Sequence, residues 1–291
     1  MTSKYELIGE EFVTGYRQQN VWTLWIALAF FFGKIGAGLF IFAVLLDTPF
    51  VALAGLLIAN IFKGGALLIH LGRPARFWRA LSRPQTSWIA RTVWAMGIFT
   101  AIGLVFLALP PGTVLWELFR VLALTGAIIV AVTDGFVVND STAIPLWNTP
   151  MLPLLFLLYS LLGGTTLFIF MHSVGWVTIT QPHFLEAVEI GLLVINMTAV
   201  LIYLISVTNA NYAARKSLKL LIREQYAAAF YGLVIAVGFI ATLLLLLLFG
   251  AAGGPLVVTM ITLADLIGHF FIFYLLLIAG VYSTPLGPLS L

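Results

Sequence analysis

The chain has 291 residues, of which 62% are hydrophobic and 9% are charged, with a formal net charge of +3 and a mean hydropathy of +1.11. A soluble domain carries about 25% charged residues, so this composition excludes an ordinary soluble globular protein and indicates a protein surrounded by lipid. The absence of cysteine excludes disulfides, cysteine-ligated iron–sulfur clusters and thiol catalysis within the chain.

The hydrophobic stretches predict eight membrane-spanning segments within a single membrane domain, residues 1–291. Crossing a bilayer takes about 20 apolar residues. Backbone polar groups in lipid must bond internally, so runs of this length are predicted to be helices. Helix breakers or polar residues separate the runs. The predicted fold class is an all-α integral membrane protein, with spans at 21–46, 49–71, 87–109, 114–138, 150–171, 184–207, 226–250 and 256–281.

The basic residues are concentrated on one side of these predicted spans. Eleven of the 14 Lys and Arg residues fall in the N-terminal tail and in the loops after the second and sixth spans. Because Lys and Arg are retained on the cytoplasmic side, both termini and the basic loops are predicted to be cytoplasmic. Such a surface can also bind an acidic or soluble partner. The eleven are Lys4, Arg17, Arg73, Arg76, Arg79, Arg83, Arg91, Arg215, Lys216, Lys219 and Arg223.

Several ionisable residues lie within the predicted spans, where they usually face a bundle interior or water. One interpretation is a polar ligand site near the basic side together with proton-carrying groups. The other is structural, with Lys34 or Lys63 paired to Asp134 or Asp265 to hold helices together. Asp134 receives most weight because it lies about one turn from the basic side. The candidates for a proton path are Lys34, Glu186, Glu189, Asp265 and His269.

Haem is not expected, and no metal site is predicted. A bis-histidine haem needs two histidines at similar depth on facing helices. The four histidines do not meet this requirement: His70 ends a span near the basic side, His172 and His183 flank a loop on the opposite side, and His269 lies mid-membrane without a histidine at its level.

The segment between the second and third spans combines arginines with aromatic residues. Arg73 precedes a proline and is therefore disfavoured in helical geometry, which ends the second span. Arg76, Phe77, Trp78 and Arg79 then predict a short interfacial helix with a basic side and an aromatic side. This helix either anchors the chain on lipid headgroups or forms a docking surface that also contributes to the rim of a ligand pocket.

Three motifs resemble a known family. The run 70–74 (HLGRP), followed by 77–81 (FWRAL) and 87–91 (SWIAR), resembles the membrane-anchor subunits of polysulfide reductase, formate-dependent nitrite reductase and dimethyl sulfoxide reductase, the NrfD/PsrC/DmsC-like anchors of molybdopterin oxidoreductases. The stretch 32–38 (FGKIGAG) resembles the family's glycine-rich first span. The stretch 144–153 (IPLWNTPMLP) resembles its Pro-x-Trp-Asn-(Ser/Thr)-Pro-Leu-Leu-Pro signature. The resemblance extends over the whole chain.

The resemblance implies an eight-span bundle in a prokaryotic cytoplasmic (inner) membrane that binds a quinone, menaquinone or ubiquinone. A ferredoxin-like iron–sulfur subunit would dock nearby and relay electrons between the quinone and a large molybdopterin or tungstopterin subunit. The clusters and the pterin would belong to those partners. The chain would then be the quinone-reactive subunit of an oxidoreductase complex, without acting on the primary substrate itself, which no residue here specifies.

The predicted quinone pocket lies on the basic side between the first four spans. In it, Asp134 exchanges protons with the quinone, Asn20 and His70 hydrogen-bond a carbonyl, and Arg73 stabilises negative charge on oxygen. The chain departs from the family at Asp134, because relatives often have Tyr-Thr-Gly where it has Thr-Asp-Gly, and it has no histidine at the start of the first span. The remaining predicted pocket residues are Trp22, Trp78 and Arg91.

A rival hypothesis is an ion-coupled or proton-translocating transporter. Lys34, Asp265 and His269 near the midplane would be its sites, although the inverted repeats that many carriers show are not found in the sequence. A combined hypothesis is a quinone-driven proton pump that uses the proton-path candidates, and a third is a structural tether that hands electrons to another membrane protein. Eleven basic residues lie on the predicted cytoplasmic side and one, Arg120, on the opposite side. This distribution favours a cytoplasmic catalytic partner.

Overall fold

The computed structural model describes residues 5–8, 11–14 and 17–283. In this part of the chain, eight helices of 21 to 27 residues are long and apolar enough to cross a membrane, so the predicted all-α membrane fold with eight spans is confirmed. A shorter helix, α7, lies between the sixth and seventh spans. The helices are α1 Leu24–Leu45, α2 Pro49–His70, α3 Trp88–Ala108, α4 Val114–Asn139, α5 Met151–Ser173, α6 Pro182–Thr208, α7 Tyr212–Ile222, α8 Ala227–Leu248 and α9 Gly254–Ile278.

Shorter elements complete the described chain. Two strands, β1 Tyr5–Ile8 and β2 Glu11–Thr14, pair antiparallel in the tail before α1, where the sequence analysis predicted no strand. A 3₁₀-helix, Pro74–Leu81, connects α2 to α3, and none of its residues is buried. This is where the sequence predicted a short interfacial helix.

Two of the spanning helices contain π-helical turns. In α2 the π stretch is Ile58–Phe62, and in α8 it is Phe230–Ala241. Within the first of these stretches, the Asn60 side-chain amide donates to the Leu56 carbonyl at 2.8 Å and its oxygen accepts from Thr100 at 2.7 Å. These bonds link the π turn of α2 to α3, and Lys63 follows the turn directly.

Helix α1 is the centre of the bundle. It packs against α2, α4, α5 and α9, and most of its residues are buried. Its alanines and glycines leave room for neighbouring backbones, as is common where helices associate in membranes. The backbone of Gly38 lies directly against that of Gly164 in α5, and Gly36 lies against the backbone of Gly55 in α2. These glycines therefore allow close approach of α1 to α5 and to α2.

The two ends of the described chain meet on one side of the bundle. The Gln19 amide nitrogen donates to the Gly280 carbonyl at 2.8 Å, and the Tyr282 amide donates to the Arg17 carbonyl at 2.9 Å. The side chain of Gln19 also donates to the Leu277 carbonyl at 2.8 Å. The residues just before α1 are thus fixed against the end of α9.

We expect Gly164→Ala to destabilise the protein, because the new methyl group would meet the backbone of Gly38, which has no side chain to move aside. Overpacking of this kind costs about 1–3 kcal/mol. Gly191→Ala in α6 is the matched control, since nothing lies within 4 Å of its added carbon, and helix propensity alone should make it neutral or stabilising by up to about 1 kcal/mol. Thermal unfolding in detergent provides the comparison, and equal stability of the two variants would contradict the packing argument.

Candidate functional site

Ten of the basic residues that the structure describes lie in segments on one side of the bundle, which we call the basic face. They occur before α1, between α2 and α3, at the start of α3, and in and after α7. Since successive spans alternate in direction, these segments share a side. Lys4 lies outside the described residues. The described members are Arg17, Arg73, Arg76, Arg79, Arg83, Arg91, Arg215, Lys216, Lys219 and Arg223.

A cleft of about 350 Å³ opens on the basic face between the start of α1, the α4–α5 connection and the residues after α9. One wall is aromatic: the rings of Trp22 and Trp147 stack with centroids 5.1 Å apart and planes at 17°. The rim is polar and includes Asp140, Ser141 and Thr142. Apolar walls with a few convergent polar groups are typical of sites for small organic ligands.

The α4–α5 connection is held rigidly by the signature motif that opens α5. The Trp147 indole donates to the Leu276 carbonyl at 3.0 Å, and the carbonyl of Leu146 accepts from the Tyr203 hydroxyl at 2.8 Å. The Asn148 amide donates to the Asn139 carbonyl at 2.9 Å. These bonds join the motif to α4, α6 and α9, so its tryptophan forms a fixed wall of the cleft.

Trp22, the other ring of the aromatic wall, is fixed by Gln19. The sequence analysis gave Gln19 no role of its own. Its side-chain oxygen accepts from the backbone amides of Val21 and Trp22 at 3.0 and 2.9 Å. Its amide donates to α9, as described above. Every polar atom of this buried side chain is thus used to position Trp22. Asn20, the predicted quinone ligand beside it, is exposed and does not line the cleft.

The other predicted pocket residues on the α2–α3 side do not line the cleft. His70 is half-buried at the end of α2, whereas Arg73 and Trp78 are exposed around the 3₁₀-helix. Arg91 braces the loop, since its guanidinium donates to the Pro84 and Gln85 carbonyls at 2.8 and 2.6 Å and stacks over Trp88. The predicted pocket residues on the basic face therefore lie in two places. Trp22 lines the cleft, whereas these four lie around the α2–α3 connection.

Asp134 lies below the basic face in a buried ion pair. The Lys63 ammonium donates to both carboxylate oxygens of Asp134, at 2.8 and 2.7 Å, and the side chains are only 2% and 3% exposed. Gly33 of α1 lies against this pair, because a side chain there would contact both partners. Of the alternatives left open by the sequence, the pairing of Lys63 with Asp134 is the one present.

A second group of polar residues lies deeper in the bundle. The Lys34 ammonium sits over aromatic rings, 2.7 Å from the centroid of Phe273 and 4.3 Å from that of Phe156. The ring of His269 packs against Tyr159 at a centroid distance of 4.9 Å. Toward the opposite face, the Thr166 hydroxyl, which the sequence analysis did not consider, donates to Glu189 at 2.6 Å.

The described residues contain no cluster of three or more His, Asp or Glu side chains suited to a metal ion. Several atoms of the deeper group have no hydrogen-bond partner within the described chain. They are Lys34 Nζ, Tyr159 Oη, Glu189 Oε2, Asp265 Oδ2 and both ring nitrogens of His269.

Fold and site together define a multi-pass helical membrane protein with a buried polar interior and a cleft on its basic face. A family model described as "Polysulphide reductase, NrfD" matches residues 12–285. The chain therefore belongs to the NrfD polysulphide reductase family, as its motifs indicated. This family provides membrane subunits of polysulfide and molybdoenzyme-type oxidoreductases, is associated with quinone-interacting subunits, and generally has iron–sulfur and molybdopterin partners. No match is found among curated proteins.

We expect the Lys63–Asp134 pair to be strongly coupled. Lys63→Met or Asp134→Leu alone leaves an uncompensated buried charge and should cost about 3–5 kcal/mol, whereas the double variant should cost much less than the sum of the two. The control is the Arg120–Asp47 pair, in which Asp47 is exposed and Arg120 half-buried, with 3.3 Å between the charged atoms; its removal should cost at most about 1 kcal/mol. Unfolding in detergent gives the double-mutant cycle, and additive single effects at Lys63 and Asp134 would contradict the coupling.

Proposed function

We propose that this chain is the quinone-reactive membrane anchor of a molybdenum- or tungsten-pterin oxidoreductase. In this role it exchanges electrons between a membrane quinone and an iron–sulfur subunit docked on the basic face. The observation that carries the proposal is the aromatic cleft on that face, in a member of a family associated with quinone-interacting subunits.

The cleft suits the chemistry of a quinone headgroup, which is flat and apolar and has two carbonyl acceptors. The stacked Trp22 and Trp147 rings provide a flat apolar wall. Ser141 and Thr142 also line the cleft, and a hydroxyl group can donate to a quinone carbonyl. The volume of about 350 Å³ is at the small end of the usual range of about 300–1,000 Å³ for ligand pockets.

Asp134 remains the predicted proton-exchanging residue. It lies six residues before Asp140, which lines the cleft, and this separation corresponds to about 9 Å along α4. Since Lys63 holds both of its carboxylate oxygens, Asp134 would exchange a proton as part of a lysine–carboxylate pair.

Asn20, His70, Arg73, Trp78 and Arg91 remain predicted quinone ligands. Under this proposal, the arginines and Trp78 of the α2–α3 loop also contribute to docking of the partner.

The docking partner is proposed to be the iron–sulfur subunit, with the pterin subunit bound to it. The exposed 3₁₀-helix presents Arg76, Phe77, Trp78 and Arg79, and α7 carries further basic residues on the same face. By the positive-inside rule, the basic face, both termini and the partners are proposed to lie on the cytoplasmic side of a prokaryotic inner membrane.

Glu224, which follows α7, is held in its charged form by two lysines of α7. Hydrogen bonds from Lys216 and Lys219 hold the pKa of Glu224 below its usual value of 4.5. A carboxyl group whose pKa is lowered by folding contributes stability above its unfolded pKa, and that contribution is lost as the pH falls through the folded pKa. We therefore propose that docking responds to ionic strength rather than to pH near neutrality.

The direct test of the proposal is gentle-detergent purification of the chain, with mass spectrometry of the proteins and lipids that copurify. We expect a cysteine-rich iron–sulfur protein, a large pterin-binding protein and a bound quinone. A chain that purifies alone, without quinone, would contradict the anchor function and favour the transporter hypothesis.

We expect Trp22→Ala to weaken quinone use by the purified complex. Loss of aromatic stacking costs about 1 kcal/mol, which corresponds to a rise of about fivefold in KM for a short-chain quinone. Trp176→Ala is the control, because this tryptophan is 63% exposed and lies in the α5–α6 loop on the opposite side. Dye-linked activity of the partner subunits should be unchanged in both variants. An unaltered quinone KM in Trp22→Ala would place the quinone elsewhere.

A further inference from the structure

Polar side chains extend from the face opposite the basic face to the middle of the bundle. We call this set the inner polar line. It begins on α6 near the surface, passes between α5, α6 and α9, and ends on α1. Its members are His183, Glu186, Thr166, Glu189, Asp265, Tyr159, His269 and Lys34.

The line starts at an opening to the surface. A cavity of about 400 Å³ lies between the end of α5 and the starts of α6 and α9, and it is lined by His172, Ser173 and His183. The exposed His183 ring reaches inward to Glu186, with 3.4 Å between Nδ1 and Oε2. Glu186 is mostly buried, since its side chain is 14% exposed. An aqueous proton thus has a path from the surface to the first buried carboxylate.

A small cavity continues the line inward. It is lined by Glu186, Glu189 and Thr166 and shares two wall residues, Ile169 and Val258, with the surface opening. The space open to a water molecule in this cavity is about 10 Å³. This is close to the minimum that one water needs. Thr166 then donates to Glu189, and Thr262, which precedes Asp265 by three residues on α9, lines the same cavity.

Beyond Asp265 the line crosses to the centre of the bundle. Asp265 and His269 are four residues apart on α9 and therefore share a helix face. Tyr159 packs against His269. Lys34 Nζ lies over the ring of Phe273, whose centroid is 6.0 Å from that of His269. Lys34 also directly follows Gly33, which lies against the Lys63–Asp134 pair. It thus links the inner polar line to the ion pair below the basic face.

The inner polar line differs from the Lys63–Asp134 pair in the way its polar atoms are satisfied. In that pair the ammonium bonds both carboxylate oxygens. By contrast, Lys34 Nζ, both nitrogens of His269 and one oxygen each of Glu189 and Asp265 have no partner within the described chain. Buried polar groups are rarely left unpaired, and side chains that serve only to join helices would be paired with one another. Ionisable residues at membrane depth also mark proton relays.

We propose that the inner polar line is a proton path from the opposite face to Lys34, and that Lys34 passes protons to the Lys63–Asp134 pair beneath the cleft. This inference rests on the proposed quinone function. Each quinone reduced takes two electrons from the docked subunit and two protons from the opposite face through the line. Each quinol oxidised returns two electrons to that subunit and two protons along the same path.

The experiment uses the complete complex in sealed vesicles with the opposite face inward and a pH-sensitive dye in the lumen. During turnover with a short-chain quinone, wild type should change the lumenal pH. Glu189→Gln and Asp265→Asn should reduce this change at least tenfold per electron transferred, since positioned proton carriers contribute about 10²–10⁴-fold. Glu117→Gln is the matched control, because Glu117 is an exposed carboxylate at the start of α4 on the same face.

Variants of Lys34 separate a proton path from helix packing. Arginine keeps the positive charge and the contact with aromatic rings but cannot release a proton. We therefore expect Lys34→Arg to block lumenal proton exchange as fully as Lys34→Met. Restored exchange in Lys34→Arg would assign Lys34 a packing role and contradict the path. Melting temperatures are measured for all variants, and Glu189→Gln, which keeps an acceptor for Thr166, tests the path even if a Lys34 variant does not fold.

The outcomes distinguish the inference from the function on which it rests. Quinone turnover with protons exchanged only on the basic face, or normal lumenal exchange in Glu189→Gln and Asp265→Asn, would overturn the proton path and leave the quinone function intact. A wild-type complex without any quinone turnover would overturn both.

Discussion

The Lys63–Asp134 ion pair is the interaction on which the arrangement of the central helices depends. Moving a charged group from water into the protein interior costs several kcal/mol. Close pairing of the two charged groups offsets this cost. That pairing brings α2 and α4 together over Gly33 of α1, where any side chain would contact the pair. The π turn Ile58–Phe62 immediately before Lys63 changes the direction in which the following residues of α2 project. The glycines of α1 allow the close packing that keeps the pair away from lipid.

The bundle combines two kinds of polar interior. Toward the basic face, three networks pair buried or half-buried polar side chains: Lys63 with Asp134, Asn60 with Thr100, and the bonds of Gln19. Networks of this kind rigidify a structure, which suits a cleft that must hold a ligand in one orientation. Farther from that face, unpaired groups such as Lys34 and His269 remain. A group that must exchange partners during proton transfer cannot be permanently bonded to one of them.

The spans were predictable because hydrophobicity over about 20 residues is a strong signal in a chain whose solvent is lipid. The Lys63–Asp134 pair was one of several open pairings, since spacing along the chain does not determine which helices face each other. The cleft was only partly predictable. Trp22 was identified, but its stacking with Trp147 depends on Gln19 bonding Leu277, a contact 258 residues apart. Thr166 was missed because an uncharged residue in a span gives no signal until its neighbours are known.

The proposed functions have a physical consequence when considered together. If electrons enter at the basic face and protons enter from the opposite face, each turnover separates charge across the membrane, and one charge moved against 100 mV corresponds to about 2.3 kcal/mol. Such a path must not conduct protons freely, or the stored energy would be lost. The natural barrier is Lys34, whose ammonium lies between Phe273 and Phe156 without a polar partner in the described chain. A proton there has only aromatic faces to stabilise it, so it remains only while a group on either side is ready to accept it.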